Sequence, residues 1–275
     1  MKYKVKICDV GQACFCIMMP IDESRDFEWV LFDFGLSPQK IGNLRLLSRI
    51  IRNLPKNSVI VLSHFHYDHL SLIEHINVRP DCRWISPELT NEEKRILANY
   101  PIYSLVMAKM ANGNEKSISK VSQLKIGEYY LCFSKGTGRT RNDSGIVSLI
   151  TQKSEYVSNA REDILLIPGD CSYKCIDFGG KIRPRHLIAS HHGSAKCNSF
   201  EGSTISLERL HTVFVPCGPH KGYKHPQREH LEQFERHKIF VSRFSGKISG
   251  IFDDTSLIKD DICSVMNDEC FEIIL

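Results

Sequence analysis

The chain has 275 residues, 42% of them hydrophobic and 25% charged, with a net charge of +4. This is ordinary for a folded globular protein with a substantial core, and it argues against a disordered or fibrous chain. A charge this small does not by itself indicate nucleic-acid binding. No apolar stretch approaches the roughly 20 residues that span a bilayer, and the start Met1-Lys-Tyr-Lys-Val-Lys alternates like a strand, not like a signal peptide. Eleven cysteines are scattered without a Cys-x-x-Cys pair. Cys14, Cys16, Cys132 and Cys263 sit in apolar surroundings, as small buried hydrophobes do. A reducing cytoplasmic location without membrane association is therefore expected.

Residues 3–10 and 13–19 read as two strands joined by a tight turn at Gly11-Gln12, and Trp29–Gly35 as a third. Over 38–53 the spacing of Ile41, Leu44, Leu47, Ile50 and Ile51 predicts a helix bounded by Pro38 and Pro55. Val59–Leu62 is a β-branched core strand. It opens directly into His64-Phe-His66-Tyr-Asp68-His69, three imidazoles and a carboxylate within six positions. These are ligand types for zinc, manganese and iron, and four so close together suit two adjacent ions better than one.

Downstream, Leu70–Ile76 reads as a short helix and Cys82–Ser86 as a strand. A helix over about Asn91–Met110 is capped by Thr90 with Glu93 three residues on, and Pro101 kinks or breaks it. Val121–Ile126 and Tyr129–Ser134 form a hairpin about Gly127-Glu128. A polar, basic loop, residues 135–145, leads into strand Ile146–Ile150, and 152–162 read as a solvated loop. Residues 163–170 form a strand ending in the carboxylate of Asp170, and 187–194 another ending in His191-His192-Gly193. Val213–Pro216 is a strand, 227–237 a helix, and 238–252 and 270–274 closing strands. Strand ends thus carry polar clusters in both halves. That recurrence predicts two similar β/α halves sharing a site along one edge, within one domain over 1–275.

The block His64-x-His66-x-Asp68-His69 resembles the signature of the metallo-β-lactamase superfamily. Cys8-Asp9-Val-Gly11-Gln12, Asn142-Asp143-Ser144, Leu166-Ile-Pro-Gly169-Asp170, Ser190-His191-His192-Gly193-Ser194 and Gly222-Tyr-Lys-His225-Pro226 resemble, in that order, blocks of the competence protein ComEC hydrolase domain and its soluble relatives. The chain departs from that pattern at Ala13-Cys14, where the family usually continues Gly-Asp-Ala. The resemblance implies an α/β, four-layer αββα sandwich with a metal site at one edge of its two sheets, and an Asp33 that supports the metal loop.

It further implies two divalent ions, zinc or manganese, the second with uncertain occupancy. His64 and His66 would hold the first; because no histidine lies between His75 and His186, its third ligand is left to Asn142, Asp143 or water, with Asp143 taken as the candidate. Asp68, His69 and His191 would hold the second, with Asp170 bridging. Asp68, His192 and His225 are the expected catalytic groups. His192 and His225 are free of ligand duty, to hold a phosphate oxygen or protonate a leaving group.

The implied reaction is phosphodiester hydrolysis of nucleic acid by a metal-bound hydroxide, in bacterial defence or nucleic-acid processing with a co-encoded protein partner. Arg139, Arg141, Lys181, Arg183, Arg185, Lys196, Lys221 and Lys224 lie in loops near these motifs, where cations favour phosphate. Two other readings stay open. One is hydrolysis of a small ester, thioester or lactam on the same metals. The other is a non-catalytic metal-binding module that engages a partner protein.

Overall fold

The computed structural model describes residues 2–8, 10–11, 13–24, 26–37, 44–52, 54–73, 82–111, 114–118, 122–152, 162–218, 225–241 and 270–275. The N-terminal half supplies β1 (Tyr3–Cys8), β2 (Cys16–Pro20), β3 (Val30–Phe32), α1 (Leu44–Arg52), β4 (Val59–Val61), α2 (Tyr67–Leu70), β5 (Arg83–Pro87), α3 (Asn91–Leu97), α4 (Pro101–Ala111) and β6 (Asn114–Ile118). The second half supplies β7 (Ser122–Ile126), β8 (Tyr129–Lys135), β9 (Ile146–Thr151), β10 (Asp163–Ile167), β11 (His186–Ile188), β12 (Thr212–Val215), α5 (Arg228–Leu231) and β13 (Lys238–Val241). The last strand, β14 (Cys270–Ile274), returns to pair antiparallel with β1.

Two seven-stranded sheets result, in the orders β14-β1-β2-β3-β4-β5-β6 and β13-β12-β11-β10-β9-β8-β7. Their period-2 pattern builds the layers. Val59 and Val61 of β4, Leu165 and Ile167 of β10 and Ile146 and Ile150 of β9 face inward into a core between the sheets. The alternate residues Ile60 and Leu62 join Leu47 and Ile51 of α1, Leu97 of α3 and Val106 of α4 in a second core. On the other side Leu166, Val147 and Val213 pack with Leu231 of α5 and Phe234. Helix, sheet, sheet, helix is the expected αββα sandwich.

Several boundaries differ from expectation for local reasons. The 91–110 helix is two helices, because Pro101 cannot donate an N–H and instead opens α4. Thr90 and Glu93 do form a capping box, with the Glu93 N–H donating to Thr90 Oγ1 at 3.2 Å and the Thr90 N–H to Glu93 Oε2 at 2.8 Å. The third strand stops at Phe32, since Asp33 turns left-handed at φ 52. β6 has no counterpart in the expectation: Asn-Glu-Lys-Ser-Ile shows no apolar alternation, as befits an edge strand. The 227–237 helix is only α5 and a following 3₁₀ turn, Glu232–Phe234. Gln12, 74–76, 153–161 and 242–252, which carried expected elements, lie outside the described residues, as do Asp9 and Gly222 of the quoted motifs. Among the described residues no helix is long and apolar enough to cross a membrane, and the cysteines are free thiols.

Candidate metal centre

Parallel pairing of β3 with β4, and of β10 with β11 and β12, sends the C-terminal ends of these strands to one edge. There the loop after β4 folds back through close backbone contacts. A Cβ on Gly35 would stand 1.6 Å from the Asp68 carbonyl oxygen, and one on Gly169, at φ +60, would stand 2.7 Å from Ser63 Cβ. Only glycine lets the chain approach so closely.

Beneath the loop, Asp33 accepts the Ser63 N–H at 2.7 Å through Oδ1 and the Ser63 hydroxyl at 2.8 Å through Oδ2. The His69 ring donates from Nδ1 to Asp33 Oδ2 at 2.7 Å. Ser63 Oγ, its proton spent on Asp33, accepts from His64 Nδ1 at 3.0 Å. His192 Nδ1 donates to the Pro216 carbonyl at 2.8 Å. These outer bonds fix the tautomers, so His64, His69 and His192 each turn an Nε2 lone pair inward. His191 has the Asn142 side-chain amide and Cys197 Sγ, each 3.4 Å from Nδ1, on its outer side.

The inner atoms converge on Asp170, which is 2% exposed. Asp170 Oδ2 lies 3.4 Å from His64 Nε2 and 3.5 Å from His191 Nε2, and His66 Nδ1 lies 3.0 Å from His64 Nε2. Asp170 Oδ1 lies 3.1 Å from His69 Nε2 and 3.8 Å from His192 Nε2, and Asp68 Oδ2 is 3.4 Å from His192 Nε2. Two donors on one cation at ordinary bond lengths stand about 3.0–3.4 Å apart, so the spacing is that of ligands around an ion. His69 Nε2, His192 Nε2 and Asp170 Oδ1 are buried without a hydrogen-bond partner. Such groups cost roughly 1–3 kcal/mol each unless something binds them, and a divalent cation does. The donor atoms of His64, His69 and Asp170, and those of Asp68, His69 and His192, gather within 4.8 Å. A third such group is Cys14, Asp33 and His69. The residues therefore fit divalent metal.

Electrostatics follow the same geometry. Burial raises the Asp170 carboxyl, but the His69 and His64 imidazoles override it and hold it well below the usual carboxylate range. Burial lowers His69, yet Asp170 and Asp33 pull it well above an ordinary imidazole. His192 is likewise raised, with burial opposed by Asp68. Burial, reinforced by His64, pushes His66 down to about 4.

The donor atoms lie in a different arrangement from the expected division. His191 stands on the Oδ2 side with His64 and His66, not with Asp68 and His69. His192, expected to be free of ligand duty, has its Nε2 gathered with the donor atoms of Asp68 and His69 within 4.8 Å. Asp143 is in none of the donor groups among the described residues. Its carboxylate accepts the Ser172 N–H and the Thr140 hydroxyl, each at 3.0 Å, and so braces its own loop. The neighbouring Asn142 instead approaches His191, its amide 3.4 Å from Nδ1 on the outer side of that ring. His225 is 9% exposed, its ring centroid 5.6 Å from that of His191.

The residues from Ser190 to Gly193 form a turn, not the end of a strand, with His191 at φ 47 and His192 at φ 54. Two left-handed side-chain-bearing residues cost about 1–3 kcal/mol each, and surrounding bonds must hold them. The Ser190 N–H donates to the Tyr173 hydroxyl at 3.1 Å, His230 Nδ1 donates to the Ser194 carbonyl at 2.7 Å, and the Tyr173 hydroxyl donates in turn to His230 Nε2 at 3.1 Å. Tyr173 and His230 escape sequence reasoning because nothing local marks them. Ser63 does carry a signal, its position directly before His64. Of the basic residues, Arg139, Arg141 and Lys196 lie in the turns that hold Asn142 and His191. Lys181 and Arg183 instead pair with Glu208, each at 3.3 Å, and Arg185 lies at the opposite end of β11. Lys221 and Lys224 are outside the described residues.

The family model of the metallo-β-lactamase superfamily matches residues 25–129, which include the whole His64–His69 block. No curated protein matches the sequence. Among solved structures, the metallo-β-lactamase fold protein YhfI from Bacillus subtilis superposes with a TM-score of 0.52 at 13% identity, covering 87% of this chain and 96% of that one. Unliganded yeast PDE1 (TM-score 0.46, 10% identity, 88% and 97% covered) and Zn(2+)-bound PqqB from Methylobacterium extorquens (0.45, 10%, 86% and 97%) are more distant. The chain has the metallo-β-lactamase fold.

Proposed function

We propose that this protein is a two-metal hydrolase of phosphodiesters, acting on nucleic acid in the manner of the ComEC-type domains its motifs resemble, in the cytoplasm. The observation that carries the reading is the division of Asp170, whose two oxygens face separate sets of ligands. His64, His66 and His191 with Oδ2 would hold one cation, and Asp68, His69 and His192 with Oδ1 the other. Zinc and manganese both accept such nitrogen and oxygen donors. A bound pair supplies Lewis acidity and a nucleophile drawn from water at neutral pH, the combination suited to displacement at phosphorus.

The chain's own residues do the rest. Asp33, Ser63 and the Pro216 carbonyl keep the imidazoles aimed, so that little reorganisation remains when substrate arrives. Burial, together with His191 and His192, pushes the His225 imidazole down to about 4. A neutral ring suits holding a phosphate oxygen better than protonating a leaving group. Arg139, Arg141 and Lys196 favour an anionic substrate on this edge.

The test is metal content by elemental analysis, then cleavage of bis(p-nitrophenyl) phosphate and of linear and single-stranded DNA with added manganese or zinc. Asp68→Ala/Asp170→Ala is assayed alongside. Cleavage that disappears in the double variant supports the reading. Bound metal with hydrolysis of esters or thioesters alone replaces the substrate class. A protein that takes up no metal, and whose biological role survives Asp170→Ala, is a binding module instead.

A further inference from the structure

The outer side of His191 differs from that of its neighbours. His64, His69 and His192 each meet an oxygen at Nδ1, from Ser63, Asp33 and the Pro216 carbonyl. Among the described residues no oxygen stands at His191 Nδ1. Its partners there are the Asn142 amide nitrogen and Cys197 Sγ, each at 3.4 Å. An amide NH2 donates and cannot accept, whereas a thiol sulfur does both, weakly. Two tautomers of His191 are thus available. In one, Asn142 donates to a bare Nδ1 and the ring turns an Nε2–H toward Asp170 Oδ2, 3.5 Å away. In the other, the Nδ1–H donates to sulfur and Nε2 keeps its lone pair for a cation. Only the second serves a metal centre.

The chain brings Cys197 to that position through two successive turns. The Ser194 N–H donates to the His191 carbonyl at 3.0 Å, and the Cys197 N–H to the Ser194 carbonyl at 3.1 Å. The Ala195 N–H donates to Gln227 Oε1 at 2.7 Å, and His230 holds the Ser194 carbonyl, so both turns are braced from α5 and the residue before it. The side chain six residues after His191 therefore returns beneath its ring and is buried. The same thiol donates its proton to the main-chain carbonyl of Asp170 at 3.7 Å. With that proton placed, the sulfur lone pairs are what His191 Nδ1 faces. Cys197 thus touches both of the residues whose inner atoms, His191 Nε2 and Asp170 Oδ2, meet on one side of the centre.

We propose that Cys197 is a positioning residue of the metal centre: its sulfur accepts the His191 Nδ1–H, selects the tautomer whose Nε2 faces the ion, and ties the ring to the Asp170 backbone. It does for His191 what Ser63, Asp33 and Pro216 do for the other imidazoles. Sulfur is a softer and weaker acceptor than their oxygens, so His191 is the less basic ligand for it. The ion on the Oδ2 side depends on this contact, and the ion on the Oδ1 side does not. The role rests on the two-metal reading for the ion that Nε2 meets, and not on the identity of the substrate.

The experiment measures zinc affinity of the full chain by chelator competition, with circular dichroism as the control. Cys197→Ala is expected to weaken one zinc ion about tenfold and to leave the other unchanged. Cys197→Ser is expected to restore the affinity, since a hydroxyl accepts and donates in the same place. In a His191→Ala background, Cys197→Ala is expected to cost nothing further, the mark of a residue that acts through the ring. Nitrogen-15 NMR of the histidines gives a reading without metal competition: His191 is expected to carry its proton on Nδ1, with a resonance that moves in Cys197→Ser. Should Cys197→Ala fail to fold, that comparison of wild type with Cys197→Ser decides in its place. Unchanged zinc affinity in Cys197→Ala overturns the role. Additive losses in the double variant, or weakening of both ions without rescue by serine, also overturn it. In a protein that takes up no zinc, a His191 Nδ1–H resonance that Cys197→Ser moves supports the bond to sulfur and removes the two-metal reading, whereas a proton on Nε2 overturns the role.

Discussion

Ser63 donates its hydroxyl to Asp33 Oδ2 at 2.8 Å, and that single bond decides which way the lone pairs of Ser63 point. With its proton committed, the hydroxyl can only accept from His64 Nδ1, and His64 Nε2 is left bare for a cation. Asp33 does the same for His69 directly. Ser63→Ala and Asp33→Asn are therefore expected to lower metal affinity about 10- to 100-fold without loss of fold. Competition against a chromophoric chelator measures this, with circular dichroism as the control.

The two sides of Asp170 are separable. His191→Ala is expected to reduce metal content on the Oδ2 side while His69 and Asp68 retain theirs, and His192→Ala the reverse. Asp170→Asn weakens both. Elemental analysis after exhaustive dialysis distinguishes these outcomes. Equal losses from both single variants would mean that the sites load as one unit.

Acid should unfold the protein partly through His230, which is fully buried between Tyr173 and Ser194. Burial pushes its imidazole down to about 4. As pH falls below the ordinary value near 6.5, the unfolded chain takes up a proton that the folded one refuses. Stability thus drops between about pH 6.5 and 4, by on the order of 3 kcal/mol from this residue. His230→Gln is expected to be less stable at neutral pH, having lost buried bonds, and to show a shallower decline over that range. Urea unfolding at stepped pH reads both effects.

Gly35→Ala forces a Cβ into the Asp68 carbonyl, which is backbone and cannot swing aside. Gly169→Ala meets the Ser63 side chain in a left-handed conformation. Both are expected to displace the ligand loop. Gly35→Ala should be the worse, losing metal altogether or failing to fold, and Gly202→Ala, with nothing within 4 Å, serves as the comparison for φ strain alone. Thermal melting and metal content rank the three.

Much of this architecture was readable in the chain because it is written locally. The alternation through Tyr3–Cys8 and the apolar run Cys16–Pro20 identify strands, and the ligand block is contiguous from His64 to His69. Asp170 and His191 could be named because each follows an apolar strand within a block that resembles a family motif. What eluded the sequence was decided by turns. Whether Asn142 or Asp143 approaches His191 depends on how one turn orients two neighbouring side chains. Which histidine meets which oxygen of Asp170 depends on two left-handed residues, His191 and His192, that no propensity favours. β6 was hidden by its polar composition, and Tyr173 and His230 by their distance in sequence from the turn they hold.

The proposed ligands come from both sheets, His64 to His69 from one and Asp170 to His192 from the other. A cation seated among them is also a cross-link between points about a hundred residues apart. It ties down a long loop of the unfolded chain, the case in which such a clip is worth most. Metal present at a thousand times its dissociation constant would add about 4 kcal/mol to the folded state. Supply of metal would then govern how long the protein survives as well as whether it acts, and a starved cell would lose it by unfolding and proteolysis before any inhibitor touched it.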